Sequence, residues 1–200
     1  MRRGRGSAAD DDAAVIESSR REPERFAVLF DRHAPHIYRY LARRADRQVA
    51  DDLVAETFLA AFAKRDRYDL GHADARPWLY GIATNLVNQH RRDEVRQYRI
   101  RQAVPAEPEE PGHAERVAAD VTAQAMRTLL TEALTALPAS DRDVLLLIAW
   151  EQLTYQEVAR ALAIPVGTVQ SRLHRARTKV RQILAGTDAG ATYEELTTNE

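Results

Sequence analysis

Apolar residues recur at helical spacing along most of the chain, and no stretch is convincing as a β-strand. In PERFAVLFDRHAPHIYRYLARR, Phe26, Leu29, Phe30, Ile37, Tyr40 and Leu41 share a helical face, with Pro35 inside the run as a kink or break. ADRQVADDLVAETFLAAFAKR carries a second stripe through Val49, Leu53, Val54, Phe58 and Phe62. Its Asp51 and Asp52 are placed near the helix start, where acids suit the dipole. YDLGHADARP, residues 68–77, has turn residues and no period, so it reads as a loop. The next segment repeats Trp78, Leu79, Ile82, Leu86 and Val87, with Pro77 in its first turn. It ends strongly basic, with Arg91, Arg92, Arg96, Arg99 and Arg101. Beyond AVPAEPEEPGHAE, periodicity resumes with Met126, Leu129, Leu130, Ala133, Leu134 and Leu137, and Pro138 closes that helix. ASDRDVLLLIAW opens with Ser140 and Asp143 spaced as an acidic capping box, and Thr154 and Glu157 repeat the spacing in its usual form.

These patterns predict an all-α protein. Two small helical domains, 21–102 and 123–185, are joined by a flexible acidic linker rich in Pro and Glu, residues 103–122. Residues 1–20 read as a disordered tail and 186–200 as a flexible one.

The formal net charge of -1 in 200 residues argues against nucleic acid only until the charge is mapped. Residues 105–125 hold one Lys or Arg against five acids, whereas 171–181 hold five Lys or Arg and no acid. A focused basic patch attracts an anion whatever the total charge. With no cysteine, disulfides and thiolate chemistry are excluded, which suits a cytoplasmic protein. The basic N-terminus lacks an apolar core, so it is no secretory signal. No stretch approaches 18 apolar residues, so no membrane insertion is expected.

The basic patch lies in IPVGTVQSRLHRARTKV. A short capped helix, Thr154 to Ala161, precedes it, then a turn, then a longer helix from near Pro165. This is the helix-turn-helix pattern. Gly167 is placed for close approach of a helix or a phosphate backbone. Burial through Val169, Leu173 and Ala176 leaves Thr168, Gln170, Ser171, Arg172, His174 and Arg175 on or beside the outer face. Arg can read guanine, Gln adenine, and Ser a base or a phosphate. Arg177, Lys179 and Arg181 suit the DNA backbone.

The motifs DDLVAETFLAAF, PWLYGIATNLVNQHRR and LPASDRDVLLLIAWEQLTYQEVARALAIPVGTVQSRLHRARTKV occur in that order. The chain, from about Phe26 to Leu184, resembles the extracytoplasmic-function (ECF) sigma factors, minimal members of the sigma-70 family of bacterial transcription initiation subunits. The resemblance implies a first domain that binds core RNA polymerase and opens promoter DNA. Asp51, Asp52, Leu53, Glu56, Thr57 and Phe58 would lie on or support the helix docking on the clamp coiled coil of the largest polymerase subunit. Leu53 and Phe58 also suit a core, which makes Asp52 and Glu56 the stronger interface residues. Residues 67–77 and the helix after them would capture the -10 element through Tyr68, Trp78, Tyr80 and Asn85. Trp78 is more naturally a core residue, and Asn85 suits either a base pocket or a helix cap. Arg91 and Arg92 would hold the DNA backbone.

The second domain would read the -35 element through Thr168, Gln170, Ser171, Arg172, His174 and Arg175. Family members often carry Lys or Arg at the position of Gln170 and an acid near Gln89. The resemblance also implies a cognate anti-sigma factor, and a linker running through the RNA exit path. No enzyme activity, cofactor or metal is expected. His33, His36, His72, His90, His113 and His174 show no recognised ligand spacing, and Asp51 with Asp52, or Asp141 with Asp143, fit helix starts better than catalysis. A dimeric helix-turn-helix repressor or activator acting on duplex DNA is the alternative. An enzyme built on His and Asp residues rests on isolated residue types alone.

Overall fold

The computed structural model describes residues 11–102 and 121–185. Among them are eight α-helices and no strand: α1 Asp12–Ser19, α2 Ala27–Ala42, α3 Arg47–Lys64, α4 Arg76–Gln102, α5 Val121–Thr135, α6 Ala139–Ala149, α7 Tyr155–Leu162 and α8 Val166–Ala185. Most of the expected linker and the two chain ends lie outside the described residues.

The expectation of a disordered tail fails where the chain forms α1. Asp11 caps this helix, its carboxylate accepting from Ala14 N–H at 2.7 Å. Eight residues are too few to be helical alone. Tertiary contacts hold them: Ile16 is fully buried, and Asp12 is pulled inward by partners far along the chain. Its Oδ2 accepts from His33 Nε2 at 2.8 Å and Ala75 N–H at 3.0 Å, and its Oδ1 from Arg32 Nη1 at 3.1 Å. Burial pushes the Asp12 carboxyl up, but the hydrogen bonds from His33 and Ala75 outweigh it and hold the group below its ordinary value. With Asp12 N–H donating to Ala73 O at 3.0 Å, α1 becomes a strap across the 68–75 loop.

Helix α2 runs unbroken through Pro35. Leu29, His33, Ile37, Tyr40 and Leu41 are buried on both sides of the proline, so packing overrides the lost hydrogen bond. In α3 the buried positions Ala50, Leu53, Val54, Thr57, Phe58 and Ala61 follow the helical period. This helix begins at Arg47 after the N-cap residue Asp46, so Asp51 and Asp52 stand beyond the first turn and cap nothing. Helix α4 begins at Arg76 with Pro77 second, as the sequence predicts.

The second helical region packs α5, α6 and α7 around α8. Its core includes Leu137, Val144, Leu147, Val158, Val169 and Leu173. The two regions are in contact: α4 packs along α7 and touches α6. Gly81 makes this possible, because a Cβ there would stand 2.2 Å from the carbonyl oxygen of Ala161. Asp143, expected in a capping box with Ser140, instead crosses to the first region. It pairs with buried Arg44 and accepts from Asn88 Nδ2 at 2.6 Å. The N-cap position of α6 is Pro138, which has no side-chain acceptor to offer.

Candidate nucleic-acid interface

Local chemistry builds the helix-turn-helix. Thr154 Oγ1 accepts from Glu157 N–H at 3.3 Å, and Glu157 Oε2 accepts from Thr154 N–H at 2.7 Å, a complete capping box at the start of α7. Burial pushes the Glu157 carboxyl up, and the Thr154 backbone and side-chain hydrogen bonds override it, leaving the carboxyl below its ordinary value. Helix α7 ends at Ala163, in the left-handed region with φ 51° and ψ 46°. Ala163 N–H donates to Arg160 O at 3.2 Å and Ile164 N–H to Ala159 O at 3.0 Å, the Schellman pattern. This turn aims α8 away from α7 at a fixed angle. Gly167 meets nothing within 4 Å, so it serves no close approach inside the protein.

On α8, Val169, Leu173 and Ala176 are buried. Gln170, Ser171, His174, Arg175, Arg177, Lys179 and Arg181 are exposed, and Thr168 and Arg172 are half-buried. Helical periodicity therefore brings the expected base-reading residues onto one outer surface. Arg175 is already engaged. Its Nε and Nη2 donate to the two oxygens of buried Asp141 at 3.0 and 2.9 Å, a two-pronged pair that raises the guanidinium pKa. That fork has the geometry of an arginine on guanine, with a carboxylate in the base's place.

The expected -10 residues divide. Asn85 is exposed. Tyr68 is buried, its hydroxyl donates to His72 O at 2.6 Å, and its ring lies 4.9 Å from that of half-buried Trp78. Tyr80 is buried, and its hydroxyl donates to Glu151 of the second region. Burial, then the neighbouring acid, pushes both phenols up: Asp12 for Tyr68 and Glu151 for Tyr80. Arg92 is exposed, whereas half-buried Arg91 donates from Nη2 to Arg44 O at 2.5 Å. Arg96 and Arg99 extend the basic face of α4.

On α3, Asp51, Asp52 and Glu56 are exposed, while Leu53, Thr57 and Phe58 are buried. Thr57 Oγ1 donates to Leu53 O at 2.6 Å inside the helix. Sequence reasoning missed Leu59, which is 69% exposed and continues the outward stripe of Asp52 and Glu56. The available signal was an apolar residue off the buried stripe. Also missed were Arg44, Gly81 and Glu151, whose partners are too distant in sequence to be read from spacing. Among the described residues no cluster of His, Cys, Asp and Glu could hold a metal ion, and no helix is long and apolar enough to cross a membrane.

The geometry has counterparts in known proteins. The family description "Sigma-70 region 2" matches residues 29–97, and "Sigma-70, region 4" matches 127–180. The RNA polymerase sigma factor CarQ of Myxococcus xanthus is 32% identical over 160 residues, covering 80% of this chain and 88% of CarQ. The ECF RNA polymerase sigma factor SigL of Mycobacterium tuberculosis is 31% identical over 173 residues, 86% of this chain and 96% of SigL.

The chain belongs to the ECF subfamily of the sigma-70 family.

It is by that membership a transcription initiation factor rather than an enzyme. The sigma factor is also 35% identical over 166 residues to SigE of Mycolicibacterium smegmatis, where it spans 60% of the relative's length and 78% of its own. Its fold matches the sigma factor CnrH, solved with the cytosolic domain of CnrY, at TM-score 0.62 and 24% identity, covering 90% of this chain and all of CnrH. RpoE of Bartonella quintana, solved with the anti-sigma factor NepR, matches at TM-score 0.58 and 24% identity, covering 80% and 96% of the two chains.

Proposed function

We propose that this chain acts in the cytoplasm, where it binds core RNA polymerase and directs initiation at promoters carrying a cognate -35 and -10 element. The observation that carries this reading is the order and geometry of the two matched regions: a helical region with a basic α4, then a helix-turn-helix with a basic outer face. Region 4 reads the -35 duplex through Gln170, Ser171, Arg172, His174 and Arg175, with Thr168 at the helix start and Arg177, Lys179 and Arg181 toward phosphates. Region 2 captures the melted -10 strand with Asn85 and the Trp78–Tyr80 segment, while Tyr68 supports the loop from below. Arg91 and Arg92 hold the backbone. Asp51, Asp52, Glu56 and exposed Leu59 form the surface for the polymerase clamp. Their combination of acids around an apolar centre suits a basic-rimmed helical partner. Leu53, Thr57 and Phe58 set that surface from inside the core.

Two solved neighbours were determined in complex with protein partners, the anti-sigma factor NepR and the cytosolic domain of CnrY. An anti-sigma factor is the partner expected to hold this chain inactive.

The test is reconstitution with core RNA polymerase and run-off transcription on a library of promoter fragments. Initiation that depends on the chain and on two sequence elements supports the reading. Failure to bind core, together with tight binding to a palindromic duplex, overturns it in favour of a dimeric repressor.

A further inference from the structure

The loop between α3 and α4 presents its tip to solvent. Asp69, Gly71, Ala73 and Asp74 are exposed, and Leu70 and His72 are half-buried. Within the tip, Gly71 N–H donates to Asp69 Oδ1 at 2.9 Å and His72 N–H to Asp69 O at 3.1 Å. These local bonds give the turn its own shape. They do not place the turn against the rest of region 2.

Helix α1 supplies that placement at both ends of the loop. At the α4 end, Asp12 N–H donates to Ala73 O at 3.0 Å, and Asp12 Oδ2 accepts from Ala75 N–H at 3.0 Å. At the α3 end, Arg20 Nη2 donates to the carbonyl oxygens of Arg65, Asp66 and Tyr68 at 3.3, 3.2 and 3.5 Å. Arg65 returns the contact, its Nε donating to Ser19 O at 3.4 Å. Asp12 opens α1 and Arg20 caps its end, so the helical rise of about 1.5 Å per residue sets the two pins about 12 Å apart. Between them Ile16 is fully buried, which fixes the helix on the core. Asp12 is anchored in turn by His33 and Arg32 of α2. The middle of the loop is tied to α4, because Tyr68 bonds His72 O and rests its ring against Trp78.

We infer, on the basis of the proposed function, that Asp12 and Arg20 are positioning residues for -10 recognition: α1 is a rigid clip that presets the 68–75 loop for the melted strand. The clip lies ahead of residues 29–97, the stretch that matches sigma-70 region 2. A loop that is already ordered loses less conformational freedom on binding, and the difference appears as affinity for a strand that fits it. A strand that does not fit gains nothing from the preset shape. The clip therefore acts on discrimination between strands rather than on the general attraction of region 2 for DNA.

Arg20→Met keeps an aliphatic stem and removes the donors, Arg20→Lys returns a cation with three donors, and Asp12→Asn removes the charge of the other pin. Ile16→Val loosens the packing of α1 and leaves both pins in place. In the full chain without DNA, Arg20→Met and Asp12→Asn should speed hydrogen exchange at the Tyr68, Gly71, His72 and Ala75 amides, all hydrogen-bonded in the parent. In holoenzyme with core polymerase, both should weaken binding to a promoter fragment with a matched, pre-melted -10 strand about tenfold, and to one with an altered -10 strand less than about twofold. Arg20→Lys should restore most of the discrimination, and Ile16→Val should keep it. Unchanged loop exchange in Arg20→Met and Asp12→Asn overturns the clip. An equal loss on matched and altered strands makes Arg20 a simple charge contact and overturns its positioning role. The same loss of discrimination in Ile16→Val reduces α1 to a stability element. Exchange needs neither DNA nor polymerase, so a parent holoenzyme that ignores the -10 sequence while the variants still loosen the loop would strike the proposed function, and with it the positioning role, but not the clip.

Discussion

Asp12 shows how one side chain can hold a segment whose own sequence offers little. It is buried, receives three side-chain and backbone donors, and joins α1 to α2 and to the 73–75 segment. Asp12→Ala should cost about 2–4 kcal/mol at neutral pH, since it strands His33 and the Ala75 N–H. The folded carboxyl has a lowered pKa, so its ionised form adds stability above the unfolded value of about 3.9, lost as pH falls through the lower folded value. Urea melts of parent and variant should therefore begin to converge below about pH 4 and meet only below the lower folded value. Arg175 raises a different issue, because its fork already holds Asp141. If it leaves Asp141 for a guanine, Arg175→Ala should cost about 1–3 kcal/mol on the cognate -35 duplex alone. A small, equal loss on every duplex would assign it to setting the angle of α8. Fluorescence anisotropy on matched and mutated duplexes separates the two.

At the scale of elements, the helix-turn-helix depends on its two caps. Thr154→Ala removes the acceptor for Glu157 N–H and should cost about 1 kcal/mol in region 4 stability. Ala163 occupies a left-handed position where a side chain is strained by about 1–2 kcal/mol, so Ala163→Gly should gain roughly 0.5–1 kcal/mol after the entropy of glycine is counted. Thermal melts of the full chain would register both. The two capping boxes expected from sequence fared differently. The Thr154 box was legible because its donors and acceptors are three residues apart, and the structure forms it. The similar Ser140–Asp143 spacing did not make a box, because Asp143 gains more from buried Arg44 than from a solvent-facing helix end. The continuous course of α2 through Pro35 has the same cause, since burial on both flanks outweighs one missing bond.

For the whole molecule, the near-neutral total conceals an uneven charge. Five cations, Arg91, Arg92, Arg177, Lys179 and Arg181, are assigned to the DNA backbone. If all five contact phosphates, the logarithm of affinity should fall against the logarithm of salt with a slope of about -4.5. Binding to a pre-melted promoter would then weaken roughly 500-fold between 50 and 200 mM salt. A shallow slope in a titration over that range would show that the patches do not act together on DNA.

The all-helical class, the order of the helices and the outer face of α8 follow from periodicity, capping residues and charge. These are local properties, set by residues within about two helical turns of one another. The surface acids of α3 were legible for the same reason. What only the tertiary structure decided depends on partners brought together from distant positions. It turned Asp12–Ser19 from an unpatterned segment into a strap, sent Asp143 to Arg44 across 99 positions, and brought Gly81 against Ala161. It also buried Tyr68 and Tyr80, which the resemblance to sigma factors offered to the -10 strand. Spacing along a chain specifies which face a side chain occupies, whereas what lies opposite that face is fixed by how the faces pack.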